Sequence, residues 1–247
     1  MRIFTKFPIV SQALRLFCMA AMVASACLNT VEAAEPSDFL PTSKRHWLTN
    51  TDMPPGVAGQ LRLTRGGPVK GYFQPVAFRG PEGVEFSLGQ AGGFAPSEQN
   101  LMAGLLIGGV YRFKITGIPQ AEGVEIYPTV ELIDRLYPPP GQATLNPIPI
   151  TIDETDLRAV MQGRMVTRVV YLEDPQTAIA LPEPPSKSHV LDLAHYQDPL
   201  HEADRFGRPV AIIRIGTVAP PTAHELMPQF FFGYPTWAPI FQPETQQ

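Results

Sequence analysis

Cysteine is nearly absent from this 247-residue chain: Cys18 and Cys27 are the only two, and both lie in its first 33 residues. Residues 34–247 therefore have no thiol to form a disulfide, act as a nucleophile or ligate a metal. Stability there must come from a packed core. Clustered positive charge is also lacking. Without residues 1–33 the net charge moves from −4 to −6, with no basic run. That excludes nucleic acid as a partner, because phosphate contacts need clustered Lys and Arg. Past residue 33 no apolar run approaches the roughly 20 residues of a membrane-spanning helix. The HExxH, GxSxG and Walker spacings are missing, and no segment repeats at a fixed period.

What the chain does have starts with its leader. Arg2, Lys6 and Arg15 precede the uncharged run Leu16–Ala26, and small residues crowd Ala24–Cys27 and Val31–Ala34. A basic start, a short apolar core and a small-residue exit are the three parts of a signal peptide. Residues 1–33 are assigned to it, with cleavage after Ala33. The alternative cut, before Cys27, makes Cys27 a lipidation site and the protein a lipoprotein, although Ala24 stands where such signals usually carry Leu. The expected location is the periplasm or cell envelope, or secretion. Membrane contact is expected only through a lipid on Cys27.

The remainder divides into three stretches. Residues 34–56 form a polar arm broken by Pro36, Pro41, Pro54 and Pro55, with Trp47 expected to dock on the domain. Residues 57–218 carry short apolar runs separated by Gly and Pro. Leu61–Thr64, Tyr72–Phe78 and Val84–Leu88 alternate at period two, which predicts strands. The clearest hairpin is 105–136. Tyr111, Phe113 and Ile115 share one face of its first strand, and Val124, Ile126, Val130 and Leu132 one face of its second. Arg112 and Lys114 then oppose Glu125 and Glu131 across the ladder. Pro128 places the second strand at an edge or a bulge.

One short helix is expected at about 153–162, capped by Thr151 or Asp153, with Leu157, Val160 and Met161 inward and Gly163 closing it. Strands follow at 165–172 and 209–218. Many strands and a single helix predict a mainly β fold, a sandwich or open barrel of short antiparallel strands with irregular Pro-rich termini. The tail, 219–247, holds Phe230, Phe231, Phe232, Tyr234, Trp237 and Phe241. It either wraps the domain and buries its rings or docks a partner or a second copy.

One spacing carries chemistry. His189, Asp192, His195, Asp198, His201 and Asp204 recur every three residues. They read first as a polar loop between strands. Imidazole and carboxylate together also suit a divalent metal, the one cofactor the sequence suggests. An α-helix is expected to smear them around its surface, and Pro199 to interrupt it. The glycines of 89–93 read as a turn rather than a phosphate cradle. Asp134–Arg135 and Glu173–Asp174 read as strand-end caps and turns.

The run Gly123–Gly141, with Pro147–Ile150 and Val166–Pro175, resembles a family of uncharacterised exported bacterial envelope proteins over about residues 100–175. The resemblance implies an envelope location and brings no activity or catalytic residue. The expected function is a non-enzymatic envelope or secreted module, structural or interacting, that contacts an envelope protein or itself through 219–247. The alternatives are a metal- or small-ligand-binding periplasmic module using 189–204, and an exported carbohydrate enzyme.

Overall fold

The computed structural model describes residues 46–68, 70–90, 92–176, 178, 190–233 and 238–241, all within one compact unit. The signal segment, Cys27, His189, Tyr234 and Trp237 lie outside the described residues. In chain order the elements are α1 (Val57–Thr64), β1 (Phe73–Arg79), β2 (Glu85–Gln90), β3 (Gly93–Phe94), β4 (Met102–Leu106), β5 (Val110–Thr116), β6 (Thr129–Leu132) and β7 (Ile148–Thr151). They continue with α2 (Glu154–Met161), β8 (Val166–Glu173), α3 (Pro199–Phe206), β9 (Gly207–Ile215), a 3₁₀ turn (His224–Leu226), α4 (Met227–Phe230) and β10 (Ile240–Phe241).

The fold is mainly β and sandwich-like. One sheet runs β10-β4-β1-β7 and the other β3-β2-β5-β6-β9-β8; neither closes into a barrel. All pairings are antiparallel except β1 with β7. A parallel pair needs a long crossover, and here the connection passes through β2–β6. The core between the sheets follows from alternation. Val76 and Phe78 of β1, Phe86 and Leu88 of β2, Tyr111, Phe113 and Ile115 of β5, and Val130 and Leu132 of β6 all point into it. The Phe78 ring lies 4.2 Å from Phe113 and 5.6 Å from Phe86 and ties the layers together.

The expected hairpin forms. Tyr111 pairs with Val130 and Ile115 with Ile126, so the register is unchanged across Pro128 and there is no bulge. Pro128 accepts from the Phe113 N–H at 3.0 Å and has no N–H to return. The β9 ladder starts only at Thr129, so Pro128 lies on a stretch with one ladder neighbour. Ile126 is buried, but Val124, expected beside it, is 37% exposed.

Three helices were not expected. Leu61–Thr64 is the last turn of α1, not a strand. Its alternation is real but too short to decide between periods, and the preceding Pro54-Pro55-Gly56 opens a helix. Gly59 lets α1 lie flat on the sheet: a Cβ there would sit 2.7 Å from the Leu132 carbonyl oxygen and 2.8 Å from the Gly108 Cα. Pro199 does not interrupt α3 but starts it, because the first helical N–H has no partner to lose. The predicted helix is α2, capped by Asp153 in a reciprocal box with Asp156 rather than by Thr151. Gly163 follows with φ +81°, and Met161 is exposed while Leu157 and Val160 are buried.

The outer face of the six-stranded sheet is covered as well. Glu131 is fully buried there and meets Arg214 of β9 at 2.9 Å. Arg214 stands opposite Thr129, so this is a diagonal cross-strand pair. The Gly59 N–H donates to the second Glu131 oxygen at 2.9 Å, and Arg214 donates to the Thr51 carbonyl at 3.3 Å. The pair thus fastens residues 51–59 to the sheet. Glu131→Ala or Arg214→Ala, leaving one buried charge alone, should cost about 3–5 kcal/mol in urea unfolding. The double variant Glu131→Leu/Arg214→Met should recover most of that loss.

Candidate functional site

Residues 46–59 and the Phe230–Phe232 stretch both pack on that outer face, and the residues they bring there form the candidate site. The N-terminal part is held by the histidine–aspartate run. Asp198 caps α3, accepting the N–H groups of Leu200 and His201 at 3.1 and 3.0 Å. Its other oxygen accepts the Thr51 N–H at 2.8 Å and the Thr51 hydroxyl at 2.6 Å. His201 Nε2 donates to the Thr49 carbonyl at 2.7 Å, which fixes the proton on that nitrogen. Asp204 accepts the His46 N–H at 3.1 Å. On an α-helix each step of three residues drifts by only about 60°, so three members still share one side. The expected smearing therefore does not occur.

Asp198, His201 and Asp204 are thus brought together against residues 46–51, whereas Asp192 and His195 are exposed upstream and His189 lies outside the described residues. Among the described residues no group of three or more His, Cys, Asp or Glu is arranged to hold a metal. Trp47, expected to dock, is 65% exposed; it is the backbone of its segment that binds α3.

The C-terminal part is held by a buried cation. Arg112, on the outward face of β5, donates to the carbonyl oxygens of Tyr127 at 2.9 Å and Phe230 at 3.1 Å. Its guanidinium stacks 4.4 Å from the Phe230 ring and 5.0 Å from that of Phe232. It does not pair with Glu131, as the cross-strand pattern suggested, because Arg214 has taken that carboxylate. Burial without a carboxylate lowers the Arg112 pKa to about 10. Lys114 does meet Glu125, at 3.5 Å. Phe230 and Phe231 are buried with Tyr127 and Phe94. Gly89, a strand residue of β2 rather than part of a turn, admits Phe231: a Cβ there would be 2.7 Å from its ring. Burial, together with its hydrogen bond to Glu125, raises Tyr127 to about 12.

Between the two segments runs a groove of about 400 Å³. It is lined by a wall of Val57, Gln60, Leu61 and Thr64 from α1, by Gly108 and Val110, and by Phe232. Those four helix positions follow the i, i+3, i+4, i+7 spacing. Phe232 adopts φ +58°, a left-handed conformation that costs a non-glycine residue energy. The sequence signal for this wall was present in Val57–Thr64 but was masked by the Leu61/Leu63 alternation. Nothing in the sequence joins that helix to Phe232, 168 positions downstream of Thr64.

Asp134 was also underread as a strand-end cap. It accepts the Arg135 N–H at 2.7 Å, but it is buried and ion-paired with Arg62 at 3.3 Å and Arg208 at 3.1 Å. Asp174 does make the expected local turn, accepting the Gln176 N–H at 3.0 Å.

Comparison of the chain with protein-family models, curated proteins and solved structures finds no match. Among the described residues no helix is long and apolar enough to cross a membrane.

The Asp198 clamp should be pH-dependent. Burial pushes its carboxyl up, but the Thr51 hydroxyl, the Thr51 and His201 N–H groups and the His201 charge outweigh burial and hold it below its ordinary range. A depressed carboxylate stabilises the fold above its unfolded pKa, near 3.9, and that contribution is lost as pH falls through the folded value. Hydrogen exchange at the Thr51 and His201 amides, taken relative to the intrinsic rate at each pH, should therefore accelerate below about pH 4. Asp198→Ala should produce the same acceleration at neutral pH and cost about 1–3 kcal/mol.

Proposed function

We propose that this protein is an exported, non-enzymatic interaction module of the periplasm or cell envelope. It binds an apolar segment of another envelope protein in the groove between α1 and Phe232. The observation that carries the reading is the groove itself. Both terminal segments are fixed onto one sheet face by buried polar contacts, yet they stop short of each other and leave an apolar trough. The leader supports export, and the resemblance of residues 100–175 to exported envelope proteins supports the location. The aromatic tail enters as a wall of the binding site, with Phe230 and Phe231 as its anchor and Phe232 as its contact surface. Removal of the signal segment after Ala33 frees the module; removal before Cys27 tethers it to lipid.

The use of carboxylates elsewhere supports a binding rather than a catalytic role. Glu131, Asp134 and Asp156 are each buried and committed to arginine. Asp198 is committed to a helix cap.

A photo-crosslinking residue at Gln60, introduced into the full-length protein in cells, should give one discrete adduct. Leu61→Glu should lower its yield about tenfold, equivalent to 1.4 kcal/mol, without changing thermal unfolding. An adduct insensitive to Leu61→Glu, or none, would refute the groove as the binding surface. Mass spectrometry of the mature N-terminus tests export independently: Met1 retained would refute it.

A further inference from the structure

The strongest unassigned feature lies at the edge of α1 and β9, where three arginines gather round one aspartate. Asp134 lies two residues beyond the end of β6 and is 1% exposed. Its two oxygens meet Arg62 Nη2 at 3.3 Å and Arg208 Nη1 at 3.1 Å. Arg208 Nη1 also donates to the Arg135 carbonyl at 3.0 Å. Arg135 is half-buried. Its guanidinium lies 3.9 Å from the Tyr72 ring and 4.6 Å from the Tyr137 ring, and its Nε donates to the Leu136 carbonyl at 3.2 Å. Arg208 stacks on the same Tyr137 ring at 5.3 Å. Tyr137 itself is 64% exposed.

The charge does not balance. Among the described residues Asp134 is the one carboxylate within ion-pair distance of these arginines, which leaves two positive charges together on a chain of net charge −4. Two of the other buried charge sites differ: Glu131 with Arg214 is neutral, and Arg168 faces two carboxylates, Asp153 and Asp156. A third, Arg112, also lacks a carboxylate but is met by two carbonyl oxygens and two ring faces. Donors are also left over. A guanidinium carries five N–H groups in a planar fork. Arg62 commits one terminal nitrogen to Asp134; its Nε is buried and has no hydrogen-bond partner among the described residues, which leaves the other terminal nitrogen as the free donor. Arg62 and Arg208 each keep 22% of their side chain open to solvent. Stacking on tyrosine holds the third fork in place before any ligand arrives.

We propose that Arg62, Arg135 and Arg208 form a binding site for a doubly charged oxyanion, a phosphate or a dicarboxylate, with Tyr137 as a platform for the part of the ligand next to the anion. Forked donors match both anion types bidentately, and a charge of −2 neutralises the surplus. The site is separate from the groove between α1 and Phe232 and does not depend on it.

The test is an NMR titration of the arginine Nε–Hε signals of the mature protein. Inorganic phosphate and malonate are the probes, at constant ionic strength set with sodium chloride. The expected result is saturable shifts at Arg62, Arg135 and Arg208 with one of the two anions. The anion that saturates at lower concentration identifies the ligand as phosphate or carboxylate. Arg62→Gln leaves Asp134 paired with Arg208, and Arg135→Gln touches neither ion pair, so both variants keep Asp134 compensated. Each should weaken binding roughly tenfold or more, and Arg62→Lys, which keeps the charge but not the fork, should restore only part of it. Shifts that rise linearly with both anions, or equal affinity in wild type and both glutamine variants, would overturn the proposal.

Discussion

The buried pair of Glu131 and Arg214 is the contact on which the rest of this structure depends. It joins neighbouring strands of the six-stranded sheet on the face turned away from the core. A carboxylate and a guanidinium there would each be costly to bury alone. They are affordable because α1 and residues 51–53 supply the remaining partners, Gly59 N–H on one side and the Thr51 carbonyl on the other. The polar pair therefore specifies which segment covers the sheet and where. An apolar pair in the same place would bind many segments equally well.

The same logic recurs at each cover. Arg112 takes the Phe230 carbonyl oxygen and two ring faces from the tail, Asp198 takes the backbone and hydroxyl of Thr51, and Gly59 and Gly89 remove the Cβ atoms that would hold the covers off. The covers are thus fixed by directional polar contacts at a few points, while the apolar surface between them stays open as the groove. A module built this way separates the forces that fold it from the surface it presents.

The sequence disclosed the sandwich well because alternation is a local signal. Tyr111, Phe113 and Ile115 declare their face within five residues, and Gly163 and Asp153 declare the ends of α2. It disclosed the outer face poorly, since what decides that face is distant in the chain. Arg112 has acidic neighbours on the adjacent strand, and only the fold reveals that Glu131 is already taken by Arg214. Leu61 and Leu63 alternate like a strand, and only the sheet beneath Gly59 settles the period. The run from His189 to Asp204 reads first as a polar loop and second as ligand chemistry, because histidine and aspartate are both loop and ligand types. Its last three members cap a helix and dock a backbone. The groove was invisible because its walls come from opposite ends of the domain, and the Asp134 cluster because its arginines are spread over nearly 150 positions.

The pairing of β10 with β4 bears on the order of assembly. Ile240 and Phe241 complete the four-stranded sheet, and the Gly104 N–H donates to the Pro239 carbonyl at 2.7 Å. Of the described strands, β10 is the last to leave the ribosome, so the nascent chain carries β4 with a bare, hydrogen-bond-hungry rim throughout synthesis. Such a rim recruits any extended peptide within reach. Shielding it, and delivering the final strand before a foreign one arrives, becomes the kinetic hazard this architecture imposes on the cell that makes it.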